Sequence, residues 1–189
     1  ISMDYNIIVI GSRPFYNIDL NDILEKIIKN IRCNMSLPNN NNGTKIDEQF
    51  LNCHVFQYTM MDRKELRTRY VTMFNEKYVK KFDLFDKTKW KKIHKQNNQD
   101  INEMNDWLTQ MNIEIIDEKV LRVGFNSIWM LIKNKTKKIF VHGFSLTGDH
   151  KKKYMNVNFS NTSNAHNVLS EQRCLQTLHE KNILDATMC

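Results

Sequence analysis

The stretch that decides the fold is Asn6-Ile7-Ile8-Val9-Ile10, which runs directly into Gly11-Ser12-Arg13-Pro14. A short β-branched run of this kind is typical of a strand that is buried on both faces, as the strands of parallel sheets are. Glycine, serine and proline then predict a sharp turn. Beyond the turn, apolar residues recur at helical spacing over residues 18–31. The sequence therefore predicts a strand, a loop and a helix, which together form the first part of a βαβ unit.

The rest of the chain alternates between predicted strands and helices. In chain order these are a strand at residues 53–58, a helical or irregular stretch at 62–98, a helix at 101–111, a strand at 113–116, a helix at 124–135, a strand at 138–141 and a last helix from Val168. Such alternation predicts an α/β fold with a Rossmann-like, mainly parallel sheet that is covered by helices on both faces. A length of 189 residues predicts a single domain, residues 1–189.

Two stretches without hydrophobic periodicity predict loops. Residues 38–43, Pro-Asn-Asn-Asn-Asn-Gly, are polar and turn-forming, so they predict an exposed loop. Residues 147–165 predict a long loop before the last helix, and loops of that length are usually either lids over a site or disordered segments. His166 is therefore expected at or just before the start of the last helix, where the lid loop ends.

The charge of the chain favours an anionic partner. Lys and Arg number 28 against 21 Asp and Glu, and the net charge of +7 suits a nucleotide, a nucleic acid or an acidic membrane surface. The basic runs at residues 87–95 and 151–153 are typical of solvated faces, although the interleaved aromatic residues also suit a nucleic-acid or membrane patch. No recognised nucleic-acid motif accompanies them, so nucleic acid is the less favoured partner.

Several protein classes are disfavoured by what the sequence lacks. The four cysteines are scattered without a C-x-x-C pair, which argues against a zinc or disulfide framework. No Asp-x-Asp pair or His/Cys cluster predicts a metal site. No apolar run approaches the roughly 18 residues of a membrane-spanning helix, and the first residues lack the features of a secretory signal. We expect a cytoplasmic protein, either free or peripheral on the inner face of a membrane.

The glycine turns mark the expected binding site. In parallel sheets, ligands bind beyond the carboxyl ends of the strands, which here are the loops at Gly11 and Gly143. Residues 11–14 suit a phosphate, because the helix that follows presents unpaired N–H groups and a partial positive charge. They match neither the G-x-G-x-x-G fingerprint nor a Walker motif. A plain strand-to-helix turn uses the same residue types, so both interpretations stay open.

Three side chains are candidates for chemistry. His166 suits a general base, because imidazole titrates near neutral pH, and an exposed or capping histidine is the alternative. His142 either lines the cleft beside Gly143 or packs in the core, and packing is favoured. Tyr154 is either an acid in the lid loop or a surface residue.

Several short motifs, taken in their order, resemble the bacterial lipooligosaccharide sialyltransferases. Those enzymes have a GNGPS-type loop after the first strand, an Arg-Cys-Asn tripeptide ending the second strand, a glycine-headed helix, a strand of the type K-E-I-Y-L-S-G, a lid loop and a histidine that opens a helix. The corresponding segments are Gly11-Ser12-Arg13-Pro14-Phe15, Arg32-Cys33-Asn34, Gly124, Lys137-Lys138-Ile139-Phe140-Val141-His142-Gly143, residues 147–165 and His166. The two ends of the chain carry this resemblance, and the middle is unmatched.

The resemblance implies that sialic acid is transferred from CMP-sialic acid to a glycan hydroxyl, without a metal or a further cofactor. It implies that His166 is the general base. Thr147 stands where the family has the lid tyrosine that assists the leaving phosphate, and Tyr154, shifted by one position, is the residue that could replace the family's second lid tyrosine. The residues that it implies for substrate binding are Gly11, Ser12, Arg13, Asn34, Arg122, Gly124, Gly143 and Phe144. The implied partners are the nucleotide-sugar donor and a glycan acceptor.

Some positions differ from the family pattern. Ser12 and Arg13 stand where the family has Asn and Gly, and Arg122-Val123 stands where it has a Thr-Ser pair. We expect Arg13 or Arg122 to neutralise phosphate charge instead, as a guanidinium does well. The alternative function is a non-catalytic nucleotide-binding or interaction domain that retains the fold.

Overall fold

The computed structural model of the protein describes residues 7–11, 27, 29–34, 36, 43, 45–51, 87–92, 98–114, 122–136, 138–146 and 168–189. In chain order, the elements are β1 (Ile7–Ile10), β2 (Lys29–Cys33), β3 (Glu48–Leu51), a 3-10 turn (Lys87–Lys89), β4 (Trp90–Lys92), α1 (Asn98–Gln110), α2 (Val123–Lys133), β5 (Ile139–His142), α3 (Val168–Glu180) and β6 (Leu184–Met188).

The strands form one parallel sheet. Their order is β4-β3-β2-β1-β5-β6, and each neighbouring pair runs parallel. This sheet with its helices is an α/β, Rossmann-like fold, which confirms the predicted fold class. The chain builds outward from β1 to β4 and then crosses back to β5, so the direction of winding reverses between β1 and β5. Sheets of this kind bind ligands at such a switch point, beyond the carboxyl ends of the strands.

The central strands of the sheet are buried on both faces, as the opening β-branched run predicts. On one face, alternate strand residues such as Val9, Ile31 and Val141 pack into one core with α1, α2 and α3. On the opposite face, which we call the second face, Ile8 and Ile10 are fully buried. The crossovers to β5 and to β6 move in the same direction across the sheet. Right-handed connections therefore place α2 and α3 on the same face.

The helices bury the apolar faces that their spacing predicts. Met104 and Leu108, one turn apart in α1, point into the core, and the ring centroid of Trp107 lies 5.6 Å from that of Trp129 in α2. The confirmed predictions are the helices at 101–111, at 124–135 and from Val168, and the strand at 138–141. Within the described part of the chain, no helix combines the length and apolar character needed to cross a membrane.

The predicted helix at residues 18–31 is wrong over its last part, because Lys29–Cys33 is strand β2. Ile31 lies opposite Val9 of β1 in a parallel pair. Ile27 and Ile31 have the spacing of one helix face. Asn30, which precedes Ile31, and Arg32, which follows it, are buried as well. Burial on both sides of the backbone belongs to an internal strand, and hydrophobic spacing could not reveal it because two of the buried side chains are polar.

The predicted exposed loop at residues 38–43 is wrong at Gly43. This glycine is buried with φ +74°, and its carbonyl oxygen accepts a hydrogen bond of 2.7 Å from Nη2 of Arg32. A polar sequence predicts exposure because its backbone groups are expected to bond to water. At Gly43 the buried Arg32 side chain takes the place of water as the partner of the backbone oxygen.

Two other predictions need correction. Trp90–Lys92 forms β4 within the stretch expected to be helical or irregular. Ile113 and Glu114 lie in no strand, because the backbone N–H of Ile113 bonds to the Leu108 oxygen and closes the end of α1. Strands β3 and β6 were not predicted at their positions. The predicted strand at 53–58 and the lid loop at 147–165 lie outside the described residues, and the single domain stays a prediction.

Candidate functional site

The turns after β1 and β5 are in direct backbone contact at the switch point. The N–H of Gly11 donates to the His142 oxygen at 2.7 Å. A Cβ on Gly11 would overlap the carbonyl oxygen of Gly143 and lie 2.9 Å from its carbonyl carbon. Gly143 has φ +75°, and a Cβ there would lie 2.8 Å from the Gly11 oxygen. Only glycine at both positions allows the two turns to approach this closely.

The start of α2 joins these turns through a second close approach. Gly124 is the second residue of α2, and a Cβ there would overlap Cε1 of Phe144 and lie 2.9 Å from its Cζ. The side chain of Arg122, the residue before α2, makes no capping hydrogen bond to this helix. The first N–H groups of a helix lack partners within it and carry its partial positive charge. The switch point therefore lies beside a helix terminus that suits an anion.

Arg122, which precedes α2, is held by a carboxylate. Its backbone N–H donates to Oε1 of Glu171 at 2.8 Å, and its Nε donates to Oε2 at 2.5 Å. The Glu171 side chain is 1% exposed, whereas that of Arg122 is 23% exposed. The carboxylate thereby fixes the guanidinium and ties the start of α2 to the first turn of α3.

The turn after β2 lies next to the glycine turns. Asn34 has φ +49°, its N–H donates to the Phe50 oxygen at 2.7 Å, and its own oxygen accepts a hydrogen bond from Nε2 of Gln49. The hydroxyl of Ser36 donates to the Gly11 oxygen at 2.8 Å. The three carboxyl-terminal turns of β5, β1 and β2 are therefore linked by hydrogen bonds.

The first turns of α3 hold the segment that follows β5. Nε2 of Gln172 donates to Oγ of Ser145 at 3.1 Å, and Nε2 of Gln176 donates to the Leu146 oxygen at 3.0 Å. The helix predicted to follow His166 thus begins beside the residues that follow Phe144.

The second face carries buried polar residues, of which sequence reasoning missed the burial of Arg32 and Gln49. Arg32 is fully buried; its Nη2 donates to Gly43 and its Nε to the Lys45 oxygen at 3.1 Å. Burial lowers the pKa of Arg32 to about 10, so the guanidinium keeps its charge at neutral pH. Gln49 and His142 are also buried on this face, and for His142 this agrees with the favoured packing interpretation. Hydropathy could not signal the burial of Arg32 and Gln49, because these polar side chains are buried through hydrogen bonds to backbone oxygens of other segments.

The structure brings together some of the predicted site residues. Gly11, Gly124, Gly143 and Phe144 form one contact cluster, with Asn34 on the next strand and Arg122 at the start of α2. Ser12, Arg13, Tyr154 and His166 lie outside the described residues, so their roles stay predictions.

Comparison with known proteins finds a distant structural likeness to a solved structure. No family model and no curated protein matches the chain. The sialyltransferase CstII from Campylobacter jejuni, solved in complex with the substrate analogue CMP-3FNeuAc, is similar with 17% sequence identity and a TM-score of 0.47. The match covers 95% of this chain and 79% of that chain. A likeness of this size establishes neither a family nor an activity.

Proposed function

We propose that the protein is a sialyltransferase-like glycosyltransferase, which moves sialic acid from CMP-sialic acid to a hydroxyl group of a glycan. The observation that carries the proposal is the meeting of Gly11, Asn34, Gly124 and Gly143 at the carboxyl edge of the sheet. These residues belong to motifs that lie far apart in the sequence and that resemble the family in order. The motif resemblance and the general rule for parallel sheets thus point to the same edge.

The chemistry of the switch point suits a phosphate group. Gly11 and Gly143 bring the main chains of their two turns into contact at the switch point, and α2 begins beside them with its partial positive charge. Glu171 fixes the orientation of Arg122 but also neutralises part of its charge. We therefore expect the helix N–H groups to meet the phosphate together with Arg122, and not Arg122 alone.

In the proposed reaction, His166 accepts the proton of the acceptor hydroxyl while the oxygen of that hydroxyl attacks the anomeric carbon of sialic acid. The bond from that carbon to the phosphate oxygen of CMP breaks with inversion, and CMP leaves as an anion. Tyr154 donates a hydrogen bond to the leaving phosphate. Because fixed donors stabilise the developing negative charge, the proposed reaction runs without a metal, and activity should persist in a chelator.

Nucleotide binding tests the proposal first. Thermal unfolding is measured with CMP, CMP-sialic acid, AMP, GMP and UMP, and the two CMP ligands should raise Tm most. A ligand at 100 times its Kd stabilises the folded state by about 2.7 kcal/mol, which such a measurement detects readily.

A matched pair of asparagine variants then locates the site. Asn34 and Asn182 both have positive φ, +49° and +56°, so Asn→Ala imposes similar backbone strain at each. Asn182 is exposed and lies just after α3, away from the carboxyl edge of the sheet. Asn34→Ala should weaken CMP binding about tenfold or more, the equivalent of one good hydrogen bond to a charged or polar ligand. Asn182→Ala should leave the affinity unchanged.

Turnover separates the two candidate functions. Transfer of sialic acid to a glycan, or hydrolysis of CMP-sialic acid, supports the transferase. CMP binding without either reaction supports a non-catalytic nucleotide-binding domain instead. Equal effects of the two asparagine variants on binding would move the site away from the switch point, and the absence of CMP binding would overturn the proposal.

A further inference from the structure

Gln49 is a polar side chain in a position that suits an apolar one. It lies in β3 on the second face and is 1% exposed. Its Nε2 donates to the Asn34 oxygen, whereas its Oε1 is buried with no hydrogen-bond partner among the described residues. An unsatisfied buried acceptor destabilises a fold, so stability alone favours an apolar residue here. Where a sequence departs from that preference, function is the usual reason.

The hydrogen bond that Gln49 does make acts on one residue of the candidate site. Asn34 adopts the left-handed region of backbone conformation, which residues other than glycine seldom occupy. Its N–H bonds to the oxygen of Phe50, and its oxygen bonds to the side chain of Gln49. Two consecutive residues of β3 therefore hold both backbone polar groups of Asn34. A backbone conformation of this kind persists where surrounding contacts hold it in place.

We propose that Gln49 is a positioning residue for the nucleotide sugar: it holds Asn34 in its left-handed conformation, so that the Asn34 amide is oriented before the ligand arrives. This inference rests on the proposed function, in which Asn34 binds the donor. Holding a binding group in its bound geometry raises affinity, because the ligand no longer has to order it. Gln49 itself does not touch the ligand in this proposal.

Asn30 provides a matched control. It is a fully buried amide on the same face, in β2, and its Oδ1 also lacks a hydrogen-bond partner among the described residues. Its Nδ2 donates to Oδ2 of Asp47 at 3.0 Å, near the amino-terminal end of the strand. Asn34 lies four positions after Asn30, about 13 Å along the chain at the usual rise of a strand. Asn30 is therefore as buried as Gln49 but lies too far from Asn34 to make the contact that Gln49 makes.

The experiment compares Gln49→Met with Asn30→Ala in three measurements. These are the Kd for CMP by calorimetry, the midpoint of urea unfolding, and the hydrogen-exchange rate of the backbone N–H of Asn34. Gln49→Met should weaken CMP binding about tenfold, the equivalent of one hydrogen bond. It should speed exchange at the backbone N–H of Asn34. The urea midpoint should change little, because the loss of the hydrogen bond to the Asn34 oxygen and the removal of an unsatisfied acceptor offset each other. Asn30→Ala should lower the midpoint and leave the Kd unchanged.

The pattern of results separates positioning from a structural role. A lower midpoint for Gln49→Met with an unchanged Kd overturns the inference, as does an equal loss of affinity in Asn30→Ala. If wild-type protein binds no CMP, the proposed function fails. Hydrogen exchange at Asn34 then tests by itself whether Gln49 holds the conformation of Asn34. Faster exchange in Gln49→Met supports it in that case, and equal exchange overturns it.

Discussion

Adding one methyl group at Gly124 tests the close approach between α2 and the turn after β5. In an open helix, alanine is more stable than glycine by about 1 kcal/mol. Here the new Cβ would overlap Cε1 of Phe144 and lie 2.9 Å from Cζ, well inside ordinary contact distance. The Phe144 ring is buried, so it cannot move aside without disturbing its neighbours. Overpacking of this kind costs about 1–3 kcal/mol, so we expect Gly124→Ala to lower the free energy of unfolding by up to about 2 kcal/mol.

The same substitution should reverse its sign once the ring is removed. Leucine has no atoms at the Cε1 and Cζ positions, so Phe144→Leu removes the overlap. In that background, Gly124→Ala should be neutral or stabilising, with a coupling free energy of about 1–3 kcal/mol between the two sites. Urea unfolding of the wild type, the two single variants and the double variant measures this coupling. Additivity within about 0.5 kcal/mol would refute the contact on which the site geometry depends.

Further predictions concern the thiols, the ion pair and the proposed base. Burial raises the pKa of both Cys33 and Cys174 to about 12, so iodoacetamide at pH 8 should alkylate them only after unfolding, and mass spectrometry showing native-state labelling would contradict this. Because the unfolded thiols ionise near pH 9 and the folded ones do not, stability should fall as pH rises from 9 toward 12, by about 1 kcal/mol per thiol at pH 10 in urea titrations. Glu171→Ala leaves Arg122 without its carboxylate partner and should destabilise the fold by about 1–3 kcal/mol. This is less than the loss expected for a fully buried ion pair, because Arg122 is partly exposed. An unchanged midpoint of urea unfolding would argue against the ion pair. His166→Ala should lower turnover about 10²-fold or more with nearly unchanged CMP affinity, since a base acts in the transition state, and equal turnover would leave His166 a capping role.

The sequence by itself determined the elements whose signals are local. The run at Ile7–Ile10 is apolar on both sides of the backbone, and α2 repeats apolar residues at the helical period, so each element carries its own evidence. Such signals depend on neighbours along the chain and need no knowledge of the fold.

Only the tertiary structure decided what depends on partners distant in the chain. Lys29–Cys33 is a strand because it pairs with β1, although its spacing fits a helix. Arg32 and Gln49 are buried because backbone oxygens of other segments accept their hydrogen bonds, and hydropathy predicts such residues at the surface. The contact between Gly11 and Gly143 likewise exists because β1 and β5 are neighbours in the sheet. Pairing, polar burial and backbone contact all join residues far apart in sequence, and for that reason local pattern could not predict them.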